Sequence, residues 1–191
     1  MINIILASAS PRRKELLSLL PITFEIISKE TDETMDTRLT PVENVMKIAA
    51  QKAETVAREY EESLVIGCDT IVVVDKQILG KPKDKEEAYR MLVGLAGRTH
   101  KVFTGISLQN KSTGLAESFY EETTVFMKNS SDKEIWEYIG TGDPMDKAGS
   151  YGIQTQGALF VEKIEGDYFN VVGLPVSKLY EKLKQIKAIS F

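Results

Sequence analysis

The chain has one cysteine and one histidine among its 191 residues, and each scarcity excludes chemistry. A single thiol forms no internal disulfide and supplies no multi-thiolate zinc site, which points to a reducing, cytoplasmic setting. A single histidine rules out a zinc centre built from several imidazoles and any two-histidine acid/base scheme. A Ser-His-Asp triad would rest on His100 alone. No apolar run approaches the ~20 residues needed to span a bilayer. The opening Met1-Ile-Asn-Ile-Ile-Leu-Ala-Ser8 has no basic lead, so neither a membrane span nor a secretory leader is expected. Positive charge is not in surplus either: 24 Lys plus Arg stand against 28 Asp plus Glu, a net charge of −4. That balance argues against duplex nucleic acid as a main partner, since such binders need a basic surface to release counterions. Any anion site must be local.

What is present suffices for an ordinary folded domain. Hydrophobic residues make up 42% of the chain and aromatics 8%, enough for a normal core, and the length fits a single domain over residues 1–191. Ile2 to Leu6 is a short continuous apolar run, as in a strand buried on both faces. It passes through Ala7-Ser-Ala-Ser10 into a helix with Ser10 as N-cap and Pro11 in its first position. Such a turn aims backbone N–H groups and the positive helix end at whatever sits above it, which favours phosphate. Phe24 to Ser28 reads as a second strand and Lys29 to Leu39 as a loop. Thr40-Pro-Val-Glu43 is a capping box that opens a helix reaching to about Tyr60, with an apolar stripe through Val45, Ala49, Ala53, Val56 and Ala57.

Leu64 to Cys68 and Thr70 to Val74 flank Asp69, as one strand or as two broken at the aspartate. A helix is expected from near Asp84 to Leu95, then two long strands, His100 to Leu108 and Leu115 to Met127, joined as a hairpin. Ser131-Asp-Lys-Glu134 caps a short helix with Ile135, Trp136 and Ile139 in the core. Ala158 to Ile164 and Tyr168 to Val172 read as a further hairpin, and Leu174-Pro175 opens a last amphipathic helix. Crossover units mixed with hairpins imply an α/β fold with a mixed sheet.

Candidate chemistry lies in four segments: Ser8-Ala-Ser-Pro-Arg-Arg13, Glu30 to Glu33, Cys68-Asp-Thr70 with Gly80-Lys-Pro82, and Asp146 to Gln154. Arg12 and Arg13 stand in the first turn of a helix, where the dipole disfavours cations and an anion would relieve the penalty; the alternative is two solvated surface charges. Lys52 falls on an apolar helix stripe, either as a snorkelling stem or as an ammonium emerging at the sheet's edge beside the arginines. Asp69, set between two apolar runs, is costly to bury without a cation or metal. Lys81 and Glu33 are read as site members or as ordinary surface residues, His100 as a hydrogen-bonding residue of the fold, and Cys68 as a small buried hydrophobe. Cations alone suit a phosphate-binding module. With carboxylates beside them, a divalent metal bridging phosphate oxygens and a base for water come into view. No Gly-x4-Gly-Lys-Ser/Thr loop is present, so a P-loop ATPase is excluded.

Ser8-Ala-Ser-Pro-Arg-Arg-Lys-Glu-Leu-Leu17, Gly67-Cys-Asp-Thr70, Gly80-Lys-Pro82, Gly97-Arg-Thr-His100, Met145-Asp-Lys-Ala-Gly-Ser-Tyr-Gly-Ile-Gln154, Gly166-Asp-Tyr168 and Val172-Gly-Leu-Pro175 together resemble, in order, the signature blocks of the Maf family of nucleotide pyrophosphatases. The resemblance implies a twisted mixed sheet flanked by helices, of Maf/ITPase type, with a cleft between two lobes. It also implies hydrolysis of a nucleoside triphosphate between its α and β phosphates, with a divalent cation, Mg²⁺ or Mn²⁺. Arg12, Thr70 and Gln154 occupy the positions that mark the dTTP/UTP subgroup, and Asp69 that of the family's proton acceptor. Ser8, Arg13, Lys52 and Lys81 match phosphate-binding positions, while Glu33 and Asp69 match the metal site. The family is also associated with inhibition of septum formation. A pyrophosphatase for CTP or for modified or purine nucleotides, and a non-enzymatic nucleotide-binding division inhibitor, stand as alternatives; assembly as a homodimer is left open. Cys68 stands where the family has Ala, and Thr155 follows Gln154 where it has Gly.

Overall fold

A computed structural model describes residues 2–189. The strands are β1 (Ile4–Ala7), β2 (Glu25–Ile26), β3 (Leu64–Val74), β4 (Gln77–Leu79), β5 (Thr99–Asn110), β6 (Leu115–Met127) and β7 (Val161–Glu165). The helices are α1 (Pro11–Leu17), α2 (Pro41–Ala57), α3 (Lys85–Leu95), α4 (Asp132–Gly140), α5 (Tyr168–Val172) and α6 (Val176–Gln185). Among the described residues the seven strands belong to one sheet in the order β2-β1-β3-β5-β6-β7, with β4 against β3. β1 is parallel to both β2 and β3, whereas β3–β4 and β6–β7 are antiparallel, so the sheet is mixed, as expected.

The chain divides into two compact units. The first holds the residues up to Asp69, Thr104–Glu121 and those from Gly173 onward. One of its cores packs Ile5, Ala7 and Val65 against Ala53, Val56 and Ala57 of α2. The capping box expected at α2 is formed: the Thr40 side chain accepts from the Glu43 N–H while the Glu43 carboxylate accepts from the Thr40 N–H. Buried Asn44 ties the preceding loop to this helix, donating to the Asp36, Leu39 and Thr40 carbonyls and accepting from the Asp36 N–H. The second unit comprises Thr70–Phe103 and Glu122–Val172. Its core gathers Val72 and Val74 with Ala88, Leu92 and Leu95 of α3 and Ile135, Tyr138 and Ile139 of α4.

Four expectations need correction. Tyr168 to Val172 is a helix, not a strand: the Asp167 carboxylate accepts from the Phe169 N–H, and fully buried Asn170 donates to the Val102 carbonyl and Thr123 Oγ1. These two long-range donations from a buried amide outweigh the β-branched and aromatic content that favours a strand. Trp136 is 41% exposed and stacks on Tyr89, because the buried stripe of α4 runs through Ile135, Tyr138 and Ile139 and leaves position 136 on its flank. β2 is only Glu25–Ile26, both exposed. Ser10 occupies the N-cap of α1, but its side chain makes no capping hydrogen bond. At Asp69 the open alternative resolves to one unbroken strand.

Candidate active site

In the first unit α2 packs closely on β3. A Cβ on Gly67 would lie 2.2 Å from the Ala49 carbonyl oxygen and 2.7 Å from the Ala53 nitrogen. Gly105 of β5 admits the same helix further up, where a Cβ would stand 2.6 Å from the Val45 carbonyl oxygen. Two glycines thus let the helix backbone settle directly on the sheet, closer than any side chain allows. Lys52 lies between Ala49 and Ala53, and Asp69 lies two residues beyond Gly67. The close approach carries the Lys52 ammonium to 2.8 Å from Asp69 Oδ1.

The same Nζ is 3.0 Å from Glu33 Oε1, so one ammonium joins two carboxylates from a strand and a loop. The Lys52 and Asp69 side chains are 13% and 10% exposed, whereas Glu33 is 58% exposed. The inner pair is therefore largely withdrawn from water and its outer carboxylate faces solvent. Lys52 is more than a snorkelling stem: it is the ion partner that permits a carboxylate between two apolar runs.

Beside this cluster the β1–α1 turn behaves as a unit. The Ser8 hydroxyl oxygen accepts from the Ser10 N–H at 3.3 Å and from Arg13 Nη1 at 3.2 Å, and Arg13 Nε donates to the Gly173 carbonyl at 3.0 Å. Ser8 is buried and Arg12 and Arg13 are half-buried. The Cys68 thiol donates to the same Gly173 carbonyl and is pushed up in pKa by burial, as expected of a small buried hydrophobe. The guanidinium of Arg13 is thus fixed by its own fold contacts before any ligand arrives.

Thr70, Lys81 and Gln154 belong to the second unit. Thr70 is half-buried on β3; Lys81 and Gln154 are exposed. The Gly149 N–H donates to the Gly80 carbonyl at 3.1 Å, and Gly149, at φ 70°, packs on Val72 of β3. The turn bearing Lys81, the segment leading to Gln154 and the part of β3 after Thr70 are joined by these contacts.

That segment also holds a polar network that the sequence reading passed over. Asp143 Oδ2 accepts from Tyr138 Oη at 2.6 Å and Thr155 Oγ1 at 2.5 Å, and Asp143 Oδ1 accepts from Lys147 Nζ at 3.0 Å. Lys147, 8% exposed, also donates to the Asp143 carbonyl and the Asp146 carboxylate. Burial disfavours the charge on Asp143, but the bonds from Thr155, Tyr138 and Lys147 outweigh it and hold its pKa below the ordinary value. The spacing of Asp143 and Lys147, one helical turn apart, was the available signal; the part of Tyr138 and Thr155 was invisible without coordinates. His100 is buried and shares a 2.7 Å hydrogen bond between Nε2 and Tyr151 Oη, a fold contact as expected, with its pKa lowered to about 4 by burial.

Among the described residues no group of three or more His, Cys, Asp or Glu side chains is placed to hold a metal ion. The donors available at Glu33 and Asp69 are hard carboxylate oxygens. They fit Mg²⁺ or Mn²⁺, which need only one or two protein carboxylates when phosphate oxygens and water complete the shell. No helix of the described residues is long and apolar enough to cross a membrane.

Comparison with known proteins matches residues 3–186 to the family described as Maf-like protein. A dTTP/UTP pyrophosphatase of Bacillus cytotoxicus is 51% identical over 185 residues, covering 97% of this chain and 96% of that protein. A dTTP/UTP pyrophosphatase of Thermoanaerobacter sp. is 52% identical over 184 residues, and one of Bacillus pumilus 50% over 184, each covering 96% of both chains.

Proposed function

We propose that this chain, which belongs to the Maf-like protein family, hydrolyses dTTP and UTP to the nucleoside monophosphate and pyrophosphate. The observation that carries the reading is the part-buried Lys52–Asp69 pair, an ammonium from α2 on a carboxylate of β3 beside an arginine-bearing turn. The ammonium fixes the carboxylate in place, so that it can accept a hydrogen bond from a water while the neighbouring cations hold a polyphosphate.

Asp69 orients a water for attack on the α phosphorus and receives its proton. Lys52 fixes the Asp69 oxygen at 2.8 Å and offers positive charge where negative charge develops on the phosphate. Arg13, positioned by Ser8 and Gly173, and Arg12 hold phosphate oxygens, and Lys81 is a further phosphate ligand. Glu33 and Asp69 would hold a divalent cation, which when bound supplies charge neutralisation on the phosphate oxygens. Thr70 and Gln154 read the base through hydrogen bonds, a discrimination that rejects a wrong base by leaving polar groups unpaired. Arg12 completes that subgroup pattern.

The test is a panel of dTTP, UTP, CTP and purine triphosphates, with Mg²⁺, Mn²⁺ or chelator, and product identification. Monophosphate plus pyrophosphate from dTTP and UTP, dependent on the metal, is the expected result. Preference for CTP or a purine would overturn the substrate assignment, and absence of turnover on every nucleotide would overturn the enzymatic one.

A further inference from the structure

Gln154 is an exposed residue in a tight turn, and an exposed carboxamide selects a base only if its backbone is held still. The turn is tied at both ends. The Gly152 N–H donates to Tyr138 Oη at 3.2 Å, the Thr155 N–H donates back to the Gly152 carbonyl at 3.2 Å, and Thr155 Oγ1 donates to Asp143 Oδ2 at 2.5 Å. Tyr138 Oη and Thr155 Oγ1 meet on the same carboxylate oxygen, so both ends of the turn converge on Asp143. The surroundings leave no slack. A Cβ on Gly152 would lie 2.5 Å from Lys147 Cε and 2.7 Å from Thr155 Oγ1, and one on Gly157 would lie 2.6 Å from the Gly152 nitrogen.

We propose that Thr155 is a positioning residue for base selection, its hydroxyl anchoring the Gln154 turn to Asp143 while Tyr138 anchors the other end. The inference rests on the reading of Gln154 as a base-selecting residue. The Thr155 hydroxyl supplies a side-chain bond that glycine at this position could not make, and with it a narrower range of Gln154 orientations. Lys147 spends its donors on the Asp143 carbonyl, the Asp143 carboxylate and Asp146, so it holds this carboxylate rather than a substrate phosphate.

The experiment compares Thr155→Val, which keeps the branched shape and removes the hydroxyl, with Thr155→Ser, which restores it. Gln154→Ala and the Gln154→Ala/Thr155→Val double variant complete the cycle, with kcat and KM measured for dTTP, UTP and CTP. Loss of one net hydrogen bond corresponds to about a three- to tenfold effect. Thr155→Val is expected to raise KM for dTTP and UTP by that factor and to narrow the dTTP-to-CTP ratio, with kcat reduced less than threefold; Thr155→Ser is expected to recover the wild-type values. The double variant should be no worse than Gln154→Ala alone, because a positioning residue has nothing left to position. If Gln154→Ala leaves base preference unchanged, the base-selection reading fails. If Gln154→Ala narrows it and Thr155→Val does not, or if the two losses add, the positioning proposal alone fails. Should Thr155→Val fold poorly, Tyr138→Phe removes the opposite anchor, and wild-type discrimination in that variant would equally overturn the proposal.

Discussion

Replacing Gly67 by alanine tests whether close packing of α2 on β3 creates the site. The new Cβ would sit 2.2 Å from the Ala49 carbonyl oxygen and 2.7 and 2.8 Å from the Ala53 nitrogen and Cβ. The first two are helix backbone atoms, which cannot rotate aside. Restoring a separation of about 3.5 Å requires the helix to withdraw by about 1.3 Å at this point. Lys52 lies between the two residues struck, so its 2.8 Å contact with Asp69 lengthens past the ~3.2 Å limit of a good hydrogen bond. Overpacking alone costs about 1–3 kcal/mol. With a urea slope of about 2 kcal/mol/M, the unfolding midpoint should fall by about 0.5–1.5 M. A misplacement of ~1 Å between catalytic groups costs about 100-fold in turnover, to be measured well below the melting temperature. Gly94→Ala is the control: nothing lies within 4 Å of its added Cβ, and alanine in helix α3 should add roughly 0.5–1 kcal/mol of stability without altering turnover. Wild-type midpoint and turnover in Gly67→Ala would refute the packing argument.

Three further outcomes follow from the same structure. Lys52→Met strands the Asp69 carboxylate at 10% exposure and should cost about 3–5 kcal/mol in chemical unfolding, while adding Asp69→Asn should recover part of the loss; a double variant less stable than Lys52→Met would contradict the ion-pair account. His100 has a folded pKa of about 4 against 6.5 for the free side chain, so below pH 6.5 the unfolded chain binds a proton that the folded chain refuses. Stability is then lost as pH falls from about 6.5 toward 4, by about 2 kcal/mol between pH 7 and pH 5; His100→Gln should flatten this window in thermal melts, and an unchanged slope would show that other groups set it. Asn170→Ala removes the donor to the Val102 carbonyl and Thr123 Oγ1 and should cost about 1–3 kcal/mol, a near-neutral result refuting its role in holding α5.

Much of this was legible where chemistry is local. Thr40-Pro-Val-Glu43 and Ser131-Asp-Lys-Glu134 announce helix starts because a capping box is a contact between residues three apart, and both are formed. Asp69 stood out because a carboxylate inside an apolar strand requires a cation. Its partner Lys52 was in the candidate set, but their pairing was not legible, since it depends on Gly67 in one strand receiving a helix seventeen residues upstream of Asp69 in the chain at Lys52. The errors have the same origin. Tyr168 to Val172 carries strand-like residues, but the deciding interactions are Asn170 to Val102 and Thr123, 68 and 47 residues away. Thr155 was noticed as a departure from a pattern; only the position of Asp143 shows what its hydroxyl does.

The most direct measurement of the central claim is hydrolysis of dTTP in heavy-oxygen water by the wild-type chain and by Asp69→Asn, with the position of the label read in both products. A water activated by Asp69 against the α phosphorus places the label in dTMP and leaves pyrophosphate unlabelled. Asp69→Asn should remain folded and lose about 100- to 10,000-fold in kcat. Label in pyrophosphate or in inorganic phosphate, or an Asp69→Asn variant that turns over at the wild-type rate, would contradict the account.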